Sequence, residues 1–181
     1  MFREILKKIE QAPREPYKQN TPGLHPDIQT SGCFFMASLW MAEQKAKENG
    51  LLHCYLTKTQ INRLWEMGKA AGFITSDNNV KSSAGIANLA LKELGVTGRF
   101  VEVATFSLGI MQWYRSVPDA ERRADYYIQK IQQNGPNKTH YINVQKDGAL
   151  LWDPHNPAIN SQGIYYTICY RYDGESNDII I

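Results

Sequence analysis

The chain has 181 residues, 43% hydrophobic and 21% charged, a balance that fits a globular protein and excludes wholesale disorder. Twenty Lys and Arg against 18 Asp and Glu leave a net charge of +2 with no basic block, so an electrostatic nucleic-acid binder is not expected. The longest apolar run, Phe34 to Ala42, is broken by Ser38 and is too short to span a bilayer. A chain of this length buries roughly 70% of its unfolded surface and needs no disulfide or metal staple. Three cysteines without a CxxC pair read as thiols of a reducing compartment. The N-terminus lacks the continuous apolar core of a signal peptide, so a cytoplasmic protein of one domain, 1–181, is expected.

Residues 2–11 place Phe2, Ile5, Leu6 and Ile9 on one helical stripe. From Ala12 to Gly32 five residues, Pro13, Pro16, Pro22, Gly23 and Pro26, predict an extended, irregular segment rather than a helix. Cys33 to Glu48, closed by Asn49 and Gly50, predicts a helix whose apolar first half enters the core while its charged last turns reach solvent. Thr57 and Gln60 form a capping box before Ile61, Leu64 and Trp65, with Gly72 past the end. Another helix is expected from about Ser83 to Leu94, stopped by Gly95. The period then changes: residues 99–103, 127–131, 140–144, 150–152 and 165–172 read as strands. Residues 119–133 are ambiguous between helix and strand. The predicted class is α+β, with an N-terminal helix and extended segment at 1–31, helices over 32–95 and a mainly antiparallel β part over 96–181.

Cys33 follows Ser31 and Gly32 and opens its helix, where unpaired backbone N–H groups and the positive end of the dipole favour a thiolate. Gly32 presents no Cβ to an approaching substrate. Two readings stay open for Cys33: a nucleophile, or a small buried packing residue. Cys54 and Cys169 lack such a setting and read as packing residues.

The second signal is a hairpin. Asp147 and Gly148 between two β-prone runs suggest a two-residue type I′ turn, which sets Val144 opposite Leu151 and Ile142 opposite Asp153. His140 then becomes the diagonal neighbour of Asp153, about 7 Å away between Cβ atoms. That spacing suits a carboxylate orienting an imidazole toward a nucleophile. A three-residue turn would move one partner to the opposite face, and a solvent-facing hairpin is the alternative.

Cys33 opening a buried helix, then His140, Tyr141 and Val144, then Asp147 and Gly148, then Asp153 and Pro154, together resemble the papain-like cysteine peptidases. The likeness is closest to the bacterial double-glycine-leader (C39-like) branch and covers roughly Ile28 to Trp152. It implies a papain-like fold, with N-terminal helices packed on a C-terminal sheet, and a Cys33–His140–Asp153 triad. His140 would act as base and then acid on a peptide or amide substrate, without metal or cofactor. The family also places a glutamine about six residues before the cysteine to bind the oxyanion. Asp27 stands there, so Gln29 is the nearest candidate, and Phe34 follows the cysteine where the family prefers a small residue. These departures leave a catalytically inactive binding module as one alternative. A thioester-forming acyltransferase is another, since the acceptor is chosen by a pocket that the sequence does not show.

Other chemistry-bearing residues read less sharply. His53 with Cys54 lacks a second Cys/His pair to complete a zinc site. His155 falls near His140 in the hairpin register and either lines the site or faces solvent. Trp113, Tyr114, Trp152 and the tyrosines of the last strand serve as core or as an aromatic groove. Residues 105–118 are long enough for a lid. His25 reads as structural.

Overall fold

The computed structural model describes residues 13–51, 55–107, 124–133, 139–155, 158 and 161–174. The helix expected over 2–11, Cys54 with His53, and residues 108–123 of the proposed lid and ambiguous segment lie outside these. The described chain is α+β: α1 (Pro26–Ser31), α2 (Cys33–Glu48), α3 (Lys58–Ala70) and α4 (Ser83–Glu93) precede β1 (Arg99–Phe106), β2 (Tyr126–Gln132), β3 (Thr139–Val144), β4 (Leu150–Trp152) and β5 (Gly163–Asp173). The strands form one antiparallel sheet in the order β1-β5-β2-β3-β4.

Local chemistry sets most of these boundaries. Both capping-box bonds between Thr57 and Gln60 are present at the start of α3. Ser82 caps α4 through the Gly85 N–H. α2 follows its pattern, with every residue from Phe35 to Glu43 buried and Lys47 and Glu48 exposed. The short helix α1 corrects the irregular reading of 12–32. Pro26 sits in the first turn, where a missing N–H costs nothing, and the His25 side chain accepts from the Asp27 N–H. Gly32 joins α1 to α2 with φ near −80°. A Cβ there would lie 2.5 Å from the Ile28 carbonyl oxygen, so its close approach to the preceding turn of α1 requires glycine.

The helices lie against the sheet through buried aromatic and aliphatic side chains, among them Phe35, Trp65, Phe100 and Tyr170. Asn88 of α4 clamps β1 by hydrogen bonds to both backbone groups of Phe100. Ser83 meets the Tyr170 hydroxyl at 2.6 Å. A second apolar cluster gathers Tyr127, Ile131, Ile142, Val144 and Cys169. None of the described helices is long and apolar enough to cross a membrane.

The β3–β4 hairpin differs from expectation in two places that cancel. The Gly148 N–H bonds to the Gln145 carbonyl, and Gln145 pairs with Ala149. Gly148 has φ of +88°. This is a three-residue loop with glycine in the left-handed position, not a two-residue turn. Val144 accordingly pairs with Leu150 rather than Leu151. A bulge then shifts the ladder, and Asn143 pairs with Trp152. From there on the expected register holds, and Asp153 arrives beside His140.

Candidate active site

Cys33, His140 and Asp153 meet at one end of the sheet, beside the start of α2. His140 Nε2 lies 2.7 Å from Asp153 Oδ1, and both side chains are buried. The same Asp153 oxygen accepts the His155 N–H at 2.7 Å. With Nε2 taken, the other ring nitrogen, Nδ1, is left for Cys33, whose side chain hydrogen-bonds His140. Burial alone would push the His140 imidazole down; its hydrogen bonds to Asp153 and Cys33 outweigh this and raise it to about 9. The ring is therefore an imidazolium at neutral pH, held between a carboxylate and a sulfur. Cys169, by contrast, is buried in β5, and desolvation pushes its thiol up to about 12.

Neighbouring elements fix each of these side chains. The Asn143 amide of β3 donates to the Ala37 carbonyl of α2 at 3.1 Å. Phe34 stacks on Tyr141 with centroids 4.0 Å apart and planes 6° from parallel. The residue after the cysteine thus ties the helix to the histidine strand, which accounts for a large aromatic at that position. Trp152, just before Asp153, stacks on Trp40 of α2, and the Lys18 ammonium covers its ring at 4.5 Å. Lys18 Nζ also donates to the Asp153 carbonyl at 2.5 Å.

A cleft of about 540 Å³ opens at the triad, and Cys33, His140, Gln19, Gln29 and His155 line it. His155 stands edge-on to His140 with centroids 6.3 Å apart, which places it at the cleft rather than in a purely solvent-facing loop. The Gln29 amide donates to the Leu24 carbonyl at 2.6 Å, which commits one of its N–H groups to the backbone. Asp27, at the family's usual glutamine position, instead faces Lys69 at 3.3 Å. Gln19 was not singled out by any motif, yet it is buried in the cleft wall. Its amide nitrogen reaches the Gln29 carbonyl at 3.3 Å, a contact that uses one of two hydrogens, and its Oε1 is buried without a hydrogen-bond partner. No sequence spacing signals Gln19, because its place depends on the Gln19 N–H bonding to the Pro154 carbonyl at 2.7 Å across the fold. His25 is structural, capping α1 and donating its own N–H to Asn62.

Among the described residues no group of three or more His, Cys, Asp and Glu side chains is placed to hold a metal ion. Comparison with protein-family models, with curated proteins and with solved structures gives no match.

Proposed function

We propose that this protein is a cysteine hydrolase of papain-like architecture that cleaves a peptide or amide bond through a thioester on Cys33. The observation that carries the reading is the contact of Cys33, opening a buried helix, with an imidazole that is itself anchored by a buried carboxylate. The order of elements, helices first and a histidine- and aspartate-bearing antiparallel sheet second, agrees with the papain-like resemblance of the sequence.

The Cys33 thiolate attacks the carbonyl carbon, and charge moves onto the carbonyl oxygen. The first turn of α2 carries backbone N–H groups with no acceptor in their own helix, that of Cys33 among them. This N–H and the Gln19 amide are the donors offered to the oxyanion. As the C–N bond breaks, His140 passes its Nδ1 proton to the leaving amine. The neutral imidazole then takes a proton from water, whose hydroxide attacks the thioester. The C–S bond breaks, the carboxylic acid leaves, and the thiolate–imidazolium pair is restored. Asp153 holds the ring in place through Nε2 throughout.

Iodoacetamide labelling at pH 7 with peptide mapping tests the nucleophile. Cys33 is expected to react at least about 10²-fold faster than Cys169, and His140→Ala to slow Cys33 about tenfold or more. Comparable rates at the two cysteines, or indifference to His140→Ala, would overturn the reading.

A further inference from the structure

The cleft carries positive charge with no carboxylate to balance it. Lys130 of β2 lines the wall together with Cys33 and His140, and no Asp or Glu is among the described residues that line it. Asp153 sits behind His140 and is spent on it. The remaining wall is built from neutral amides and hydroxyls such as Gln133, Asn79 and Thr139. Among the described residues no carboxylate lies within ion-pair distance of Lys130, although other lysines, Lys45 and Lys69, have such partners.

Three tyrosine rings hold the Lys130 ammonium in place. Tyr141 and Tyr166 flank it in register on β3 and β5, with centroids 5.6 and 5.5 Å from Nζ. Their hydroxyls are joined at 2.8 Å. A bulge in the β2–β5 ladder, where Lys130 pairs with Tyr166 and Ile131 with Ile164, leaves Tyr165 as the extra residue. Its ring also comes within 5.9 Å of Nζ, as bulges beside functional sites re-aim side chains. Aromatic faces attract a cation but do not supply the hydrogen-bond acceptors that its three N–H groups require. Tyr141 in turn stacks on Phe34, the residue after the nucleophile, so the lysine platform and the sulfur belong to one rigid wall.

We infer that Lys130 is a specificity residue that binds a carboxylate of the substrate, so the preferred substrate is a peptide or amide with an acidic side chain next to the scissile bond. This rests on the proposed function and names its substrate class. An anionic group entering here meets the Lys130 ammonium in a cleft whose described wall holds no carboxylate and whose thiolate–imidazolium pair is neutral overall, which favours both encounter and residence.

Two electrophiles of equal shape test it: the iodoacetyl derivative of glutamate α-amide and that of glutamine amide, which differ by one charge. At low ionic strength the acidic probe is expected to alkylate Cys33 about fivefold or more faster than the neutral one, an advantage that shrinks in 1 M salt on the order expected from screening. Lys130→Met is expected to bring the ratio of the two rates to within about twofold of unity, and Lys130→Arg to retain it. Equal rates in the wild-type protein, or a preference that survives both salt and Lys130→Met, would overturn the assignment. The ratio is read at Cys33 whatever its absolute rate. A sluggish Cys33 toward the neutral probe therefore argues against the hydrolase reading, and a ratio of one argues against the acidic substrate.

Discussion

Gln19 and Gln29 show how one side chain's partners decide its use. Each amide spends one of its two hydrogens on a backbone carbonyl, Gln29 on Leu24 at 2.6 Å and Gln19 on Gln29 at a looser 3.3 Å, so Gln19 is the less tightly committed of the two in the same wall. Removing an oxyanion donor typically costs on the order of 10²–10³ in rate. Acylation of Cys33 by a p-nitrophenyl ester passes through an oxyanion, while alkylation by iodoacetamide does not. Gln19→Ala is therefore expected to lower the ratio of acylation to alkylation about 10²-fold, and Gln29→Ala to lower it about tenfold at most. The reverse order would assign the donor to Gln29. Asp153 acts on His140 differently, as the acceptor for a buried ring. Asp153→Ala leaves that ring without its partner and is expected to cost about 3–5 kcal/mol, read by urea denaturation at pH 7. A change under about 1 kcal/mol would contradict a stabilising pair.

Among the elements, α2 carries both the proposed nucleophile and an ionisable group that the proposed chemistry does not use. Glu43 is buried in its middle and accepts the Leu56 N–H at 2.9 Å. Burial raises its carboxyl to about 8 from an ordinary 4.5, against the opposing pull of that hydrogen bond. The folded state thus holds a proton that the unfolded chain has released between these two values. The stabilisation is complete below pH 4.5 and is lost as pH rises through about 8. Glu43→Gln keeps an acceptor for Leu56 and removes the titration, so the fall in Tm between about pH 5 and 8 is expected to flatten. An unchanged slope would show that Glu43 is not the group responsible. The tie between α2 and β3 is open to a similar test. Asn143→Ala removes the bond to the Ala37 carbonyl and is expected to destabilise by about 1–3 kcal/mol in urea unfolding.

The same elements show what a sequence discloses. Helix starts and stops were legible because caps are local: Thr57 and Gln60 act on each other, and Gly72 and Gly95 take up positive φ past the ends of α3 and α4. α1 was hidden by its own proline, since Pro26 breaks a helix interior but suits a first turn. The hairpin delivered Asp153 to His140 through two compensating departures, a longer loop and a bulge. Period-2 patterning sets the face of a residue far more firmly than it sets the loop that leads to it.

At the scale of the whole molecule, the α+β division was visible in the change of period near residue 99, because helices and strands repeat their apolar residues differently. The wall of the cleft was not. Gln19 and Lys130 reach it through a backbone bond between distant segments and through strand neighbours in register, and a bulge brings Tyr165 near the Lys130 ammonium. None of these leaves a mark in local sequence. What the sequence did carry was the order Cys33, His140, Asp153, and the structure brings those three side chains together.

That convergence is most directly tested by proton NMR of the His140 ring across pH, in the wild-type protein and in Cys33→Ala. The account predicts a midpoint of about 9 with Cys33 present, well above the ordinary imidazole value of 6.5, and a lower midpoint once the sulfur is removed. A midpoint near 6.5 that is the same in both proteins would contradict it, since the imidazole would then be paired with neither the sulfur nor the carboxylate.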